Sequence, residues 1–170
     1  MRSSAHQRKR FSRGNEAENL VEESLTKPRN APAGKLWRRY AGMRAGRYVA
    51  PQGPDFGGIL TSRVSSIAVH CEVEVKACTD RFDFSRLRES ELEGLQTTHE
   101  LGGASFVLCL FGEPLSSASW YLLPWGFVLR EIDRGKVYVA PRELADFLVN
   151  SESWLDEAEK IFHSGKWGAQ

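Results

Sequence analysis

Residues 69–76 alternate strictly between apolar and polar, after an apolar Ile67-Ala68. Val69, Cys71, Val73 and Val75 fall on one face of an extended strand, and His70, Glu72, Glu74 and Lys76 on the other. Upstream, residues 15–25 carry Ala17, Leu20, Val21 and Leu25 at helical spacing, and Lys27-Pro28 ends that helix. Residues 59–63 read as a strand that turns near Ser65 and Ser66 and returns along 67–76, forming a hairpin. Residues 78–84 read as a loop. A helix follows over 85–101, with Leu87, Leu92, Leu95 and His99 near one face and Gly102-Gly103 as its stop. The uninterrupted apolar run 104–111 predicts a strand buried on both faces. Residues 120–123 give another strand, Pro124-Trp125-Gly126 a turn, and 137–140 a short strand. Pro141 opens a helix, and a last helix at 153–163 carries a stripe of Trp154, Leu155, Ala158, Ile161 and Phe162. This order predicts an α/β sandwich, a central mixed sheet flanked by helices.

Charge changes the picture at the front of the chain. Residues 1–54 hold 12 Lys and Arg against 4 Asp and Glu, whereas residues 55–170 hold 11 against 18, so a net charge of +1 hides a basic front end. That asymmetry points to a polyanion partner. Residues 1–13 carry Arg2, Arg8, Lys9, Arg10 and Arg13 and no acid, and read as a flexible arm on DNA phosphates or a solvated tail. Residues 27–47 carry seven more Lys and Arg, among them Lys35, Arg38 and Arg39, interleaved with Trp37 and Tyr40. They read as a DNA-binding stretch or as a basic surface loop leading to a short strand over 44–50.

The remaining composition bounds the class. At 170 residues the chain is expected to form one domain, residues 14–163, between the arm and a tail at 164–170. Residues 1–13 have no apolar secretory core, and no window reaches the about 18 apolar residues of a membrane span. Cys71, Cys78 and Cys109 cannot all pair and make no C-x-x-C, which fits reduced thiols in the cytoplasm. The four histidines show no zinc-ligand spacing.

The chemistry concentrates on the hairpin. Asp55 lies in the bend Gly53-Pro54-Asp55-Phe56-Gly57-Gly58, which the hairpin returns beside Glu74 and Lys76. Glu74 and Lys76, two residues apart, share a strand face roughly 7 Å from each other. Two carboxylates at such a distance form an oxygen-rich site suited to Mg²⁺. A neighbouring lysine can orient or deprotonate a water and offset charge on a phosphate. These are the parts for metal-assisted phosphodiester hydrolysis.

Asp55, Glu74 and Lys76, with Pro54 before Asp55, resemble the Asp…Glu-x-Lys signature of the PD-(D/E)XK nuclease superfamily. Arg13-Gly14-x-x-x-Glu18 is similar to the first motif of Holliday-junction resolvases of the RecU and archaeal types. Asp55-Phe56-Gly57-Gly58 is similar to the Asp-Tyr-Asn-Gly ahead of the RecU hairpin, and residues 84–110 resemble the RecU helix that ends in Gly-Gly before a buried strand. The likeness spans residues 13–145 and fits a divergent phage or microbial version. It implies a restriction-endonuclease-like fold and a metal-dependent endonuclease that resolves four-way junctions by paired nicks. It further implies Asp55, Glu74 and the Val75 carbonyl as Mg²⁺ ligands, with Mn²⁺ the candidate substitute, Glu18 as an assisting acid and Lys76 as the residue that positions water. Two opposed nicks from one site per chain imply a homodimer.

Two departures from that pattern stand out. The interval between the first helix and Asp55 is short for the RecU stalk, and Glu91 stands where RecU has glutamine, either adding a carboxylate to the site or facing solvent. Two other readings stay open: a superfamily endonuclease acting on linear or damaged DNA, and a non-catalytic nucleic-acid-binding module in which Glu72, Glu74 and Lys76 make a solvated strand face.

Overall fold

The computed structural model describes residues 3–39, 42–44, 47–49, 53–61 and 67–166, with side chains described from Ser12 onward except at 40–52 and 62–66. The chain opens with helix α1 (Ser3–Ser24) and strand β1 (Gly34–Arg38). A small hairpin follows, β2 (Gly42–Arg44) with β3 (Arg47–Val49), and then β4 (Phe56–Thr61) and β5 (Ala68–Cys78). After β6 (Phe82–Asp83) come α2 (Glu89–Glu100), β7 (Ala104–Phe111), β8 (Ser119–Pro124) and α3 (Trp125–Asp133). The chain finishes with β9 (Tyr138–Val139), β10 (Leu148–Val149) and α4 (Trp154–His163).

Six strands pair in the order β1-β4-β5-β7-β8-β10. Only β5 and β7 run parallel, and α2 lies in the crossover that a parallel pair requires. All eight residues of β7 are buried, as its unbroken apolar run predicts for a strand covered on both faces. Even-numbered Phe106, Leu108 and Leu110 pack with Cys71, Val73 and Val75 against Ala17 and Val21 of α1 and Trp154, Leu155 and Ala158 of α4. Odd-numbered Val107 and Cys109 face Leu95 of α2 and Trp125 and Val128 of α3. The expected α/β sandwich with a mixed sheet therefore forms, with two helices on each face.

Several elements differ from the sequence expectation. Helix α1 begins at Ser3, so it takes in residues read as a basic arm; no apolar face marks that first part, and only the helix-tolerant make-up of Ala5, Gln7, Arg8 and Lys9 could have announced it. Strand β1 was hidden inside the basic stretch because it is an edge strand that buries a single side chain, Leu36. The strand expected over 44–50 is a two-stranded hairpin. Pro124-Trp125-Gly126 opens α3 instead of making a turn, since proline is tolerated where a helix starts and Trp125, Val128 and Glu131 bury one helical stripe. The helix expected from Pro141 is two single 3₁₀ turns, Pro141–Glu143 and Ala145–Phe147. The turn at Ser65 and Ser66 lies outside the described residues.

One buried polar group joins the two helices of the first face. Asn30, fully buried, donates to the carbonyls of Ser24 at 2.9 Å and Ser151 at 3.2 Å, and its Oδ1 accepts from the Leu155 amide at 2.9 Å. Trp154 Nε1 donates to Ser24 Oγ at 2.8 Å beside it. The C-terminal end of α1 and the first turn of α4 are thus closed by one amide. Asn30→Ala leaves those groups without partners and is expected to destabilise the fold by roughly 3 kcal/mol, lowering Tm by roughly 6–12 °C in a calorimetric melt.

Candidate active site

The pairing of β4 with β5 stops at Phe56 and Val73. One residue earlier, the side chain of Asp55 takes over from the backbone, its Oδ2 accepting the Val75 amide at 2.9 Å. The exchange is reciprocal, because the Asp55 amide donates to Glu74 Oε2 at 3.1 Å. A third bond fixes the Asp55 main chain, whose carbonyl accepts the Arg39 amide at 2.7 Å just past the end of β1. Asp55 Oδ1 has no hydrogen-bond donor among the described residues. Asp55 and Glu74 are only 7% and 1% exposed, so the two acids are brought together in a nearly dry corner.

Lys76 completes the corner. Its ammonium donates to Glu74 Oε1 and, at 2.8 Å, to Oε2 of the fully buried Glu91. Glu91 occupies the first turn of α2, where the same oxygen accepts the Arg88 amide at 2.9 Å and the other meets the Arg88 guanidinium. Glu91 therefore faces the site and not solvent. Helix α2 is seated close by its glycine, since a Cβ at Gly94 would lie 2.5 Å from Cδ of Pro54, the residue before Asp55.

Glu18 comes from the middle of α1 and lines the same cavity of about 560 Å³ as Asp55, Glu74, Lys76 and Glu91. Its Oε2 accepts two bonds from Arg38, at 2.6 and 3.0 Å, and Arg38 also reaches Asn19 and Glu22. The other residues expected to bind DNA are placed as follows. Arg13 is pinned to the ends of β5 and β7, donating to the Gly112 carbonyl at 2.9 Å and Thr79 Oγ1 at 3.2 Å. Arg39 forks onto Glu72. Lys35 is exposed, with its ammonium 5.5 Å from the centre of the Trp37 ring. The side chain of Arg10 lies outside the described residues.

These surroundings set the protonation behaviour. Burial pushes the Asp55 carboxyl up, against the pull of the Val75 amide and Lys76. Burial pushes Glu74 well up, and the adjacent Asp55 charge adds to it. Glu18 is raised by burial and then by Asp55. For Lys76, burial alone would lower the pKa, but the charges of Glu74 and Glu91 outweigh it and the group ends above its ordinary value. Glu91 likewise ends below the usual range, because Lys76 and Arg88 overcome its burial. The site thus holds a persistent ammonium between two acids and, beside it, a carboxylate pair that resists full ionisation.

Sequence reasoning placed Asp55, Glu74, Val75, Lys76 and Glu18, and the structure brings all five to one cavity. It gave Glu72 no role beyond its strand face, although Glu72 is buried against Arg39. The periodicity of β5 showed which face Glu72 occupies. The missing signal was β1, whose end delivers the arginine.

No protein-family model matches the chain, and no curated protein matches it. Among solved structures, that of Archaeoglobus fulgidus Hjc, a Holliday junction resolvase from an archaeal hyperthermophile, aligns with a TM-score of 0.49 and 15% identity over 84% of this chain and 99% of that one.

The raised acids predict a pH effect of definite sign. A carboxyl with a higher pKa in the fold than in the unfolded chain binds more protons when folded, so its contribution to stability falls as pH rises through that interval. His99, lowered by burial, gives the opposite slope, so the informative quantity is a difference between variants. Glu74→Gln removes the most strongly raised acid. Its Tm minus that of wild type, both in EDTA, is expected to grow from about pH 5 to about pH 7.5. A difference that shrinks with pH would contradict the burial of an ionisable Glu74.

Proposed function

We propose that this protein is a divalent-metal-dependent DNA endonuclease that resolves four-way junctions. The observation that carries the nuclease reading is the corner itself, where Asp55 and Glu74 are buried and cross-linked through each other's segments beside an ammonium fixed by Glu74 and Glu91. Such a carboxylate pair fits a small hard cation: both acids are raised by burial, a divalent charge would relieve that, and among the described residues Asp55 Oδ1 faces no donor. Among the described residues no three His, Cys, Asp or Glu side chains form a metal cage. Mg²⁺ keeps much of its water and shares substrate phosphates, so two carboxylates and a carbonyl suffice as its protein ligands, with Mn²⁺ as its substitute. Asp55, Glu74 and the Val75 carbonyl would hold it, with Glu18 assisting from α1. Mg²⁺ there supplies Lewis acidity toward a phosphate oxygen.

The residues of the chain divide the remaining work. Lys76, kept charged, orients the attacking water and offsets charge developing on the phosphorane; its raised pKa makes it a poor proton acceptor. Glu91 keeps the ammonium from collapsing wholly onto Glu74. Water adds to phosphorus as the ester P–O bond breaks; the water's proton is released to solvent and the departing oxygen takes one up, leaving a phosphomonoester and an alcohol. Glu18, turned toward the cavity by Arg38, is the acid available on the α1 side.

The choice of a branched substrate is supported by the order of the motifs at Arg13-Gly14, Glu18, Asp55-Phe56-Gly57-Gly58 and Glu74-Val75-Lys76. Two opposed nicks then call for a homodimer with two-fold symmetry like that of its junction. Lys35 and Arg10 are the proposed phosphate contacts. Among the described residues no helix is long and apolar enough to cross a membrane.

The test is cleavage of an end-labelled synthetic four-way junction and the matching linear duplex in Mg²⁺, Mn²⁺ or EDTA. Symmetrical paired nicks on the junction are expected, abolished by EDTA and reduced by more than about 100-fold in Asp55→Asn. Equal cutting of both DNAs would retain the endonuclease and discard the junction. Salt-sensitive binding without cutting in any metal would leave a nucleic-acid-binding module.

A further inference from the structure

Arg39 was read from the sequence as a phosphate contact, but its surroundings describe a different task. Its amide adds a rung to the β1–β4 ladder beyond the Arg38–Phe56 pair by donating to the Asp55 carbonyl at 2.7 Å. The side chain then crosses β4 over Gly57, where a Cβ would lie 2.5 Å from Nη2. On the far side its two terminal nitrogens meet the two carboxylate oxygens of Glu72, and Nη1 also donates to the Pro54 carbonyl at 2.9 Å. Glu72 is 5% exposed, and His70 Nε2 lies 2.8 Å from its Oε1. One arginine therefore grips the main chain of residues 54 and 55 at two carbonyls and bolts that segment to β5 two residues ahead of Glu74. Bidentate guanidinium–carboxylate pairs are directional, so this bolt fixes orientation as well as distance.

We propose that Arg39 and Glu72 form a positioning pair that aims the Asp55 carboxylate at Glu74 and so sets the affinity of the acid pair for a divalent cation. This rests on the nuclease reading above. Neither residue touches the reacting atoms. The pair acts through Pro54 and Asp55, and the Val75 amide, held by Asp55 Oδ2, reports on it directly. Loss of a partner that orients a ligand typically weakens metal binding by about 10–100-fold.

The experiment compares wild type with Arg39→Lys, Arg39→Ala, Glu72→Gln and the Arg39→Ala/Glu72→Gln double variant. Three quantities are measured: Mn²⁺ affinity by calorimetry without DNA, junction affinity in EDTA, and Val75 amide exchange by NMR. Each single variant is expected to weaken Mn²⁺ binding by at least about 10-fold and speed Val75 exchange by a similar factor. The double variant is expected to be no worse than the poorer single, as for two residues acting as one unit. Junction affinity in EDTA should stay within about twofold. Arg39→Lys separates the two roles, since lysine keeps the charge a phosphate needs but cannot fork onto Glu72 and Pro54 together. It should behave like Arg39→Ala.

A lysine variant with wild-type Mn²⁺ affinity and exchange would overturn the proposal. So would Arg39→Ala losing junction affinity in EDTA while binding Mn²⁺ normally, or Glu72→Gln binding it as wild type does. If wild type itself neither binds Mn²⁺ nor cleaves, the nuclease reading falls. Val75 exchange then decides the positioning pair alone, faster exchange in the variants upholding it and unchanged exchange overturning it.

Discussion

Asp55 and Glu74 share a buried corner at the end of the sheet, and each is held there by the other's strand. The Val75 amide goes to Asp55, and the Asp55 amide goes to Glu74. Neither acid could be placed so by packing alone, because burial raises the free energy of both charges. The surrounding cations are arranged to suit. Lys76 is shared with Glu91, Arg88 braces Glu91, Arg38 braces Glu18, and Arg39 braces the segment before Asp55. Of the basic residues that give the front of the chain its positive charge, Arg13, Arg38 and Arg39 are thereby turned inward to acids and carbonyls.

Much of this could be read from the chain because the relevant strand is amphipathic in the simplest way. The period-two pattern of 69–76 assigned His70, Glu72, Glu74 and Lys76 to one face, and in β5 Cys71, Val73 and Val75 do pack together on the other. The buried strand β7 was legible from its unbroken apolar run, and the helix before it from its Gly-Gly stop, although that helix starts at Glu89 and not at 85, where a 3₁₀ turn (Phe84–Arg86) stands instead. Asp55 was legible through the bend and the hairpin that follows it.

What escaped the sequence was held by long-range geometry. Strand β1 buries one residue, so its pairing is decided by the β4 edge beside it and not by its own pattern. Without β1, nothing announces that Arg39 lies over Gly57 or that Arg38 reaches α1. From the sequence Glu91 either added a carboxylate to the site or faced solvent, because the helix was expected to start at 85; its start at Glu89 puts Glu91 in the first turn, where it can cap its own helix and pair with a distant cation. Here a single carboxylate serves both. Pro124 was misread because proline ends strands and opens helices equally well, and only the burial of Trp125 and Val128 tells which.

The seating of α2 has a wider meaning. Within one turn, this helix presents Glu91 to Lys76 and the bare backbone of Gly94 to Pro54. The lysine on β5 and the aspartate ahead of β4 are therefore both measured from a common datum, a single turn of helix anchored by the fully buried Leu95. Any slide of this helix would carry the ammonium and the Asp55 segment together, and the 2.5 Å approach at Gly94 leaves it little room to slide at all.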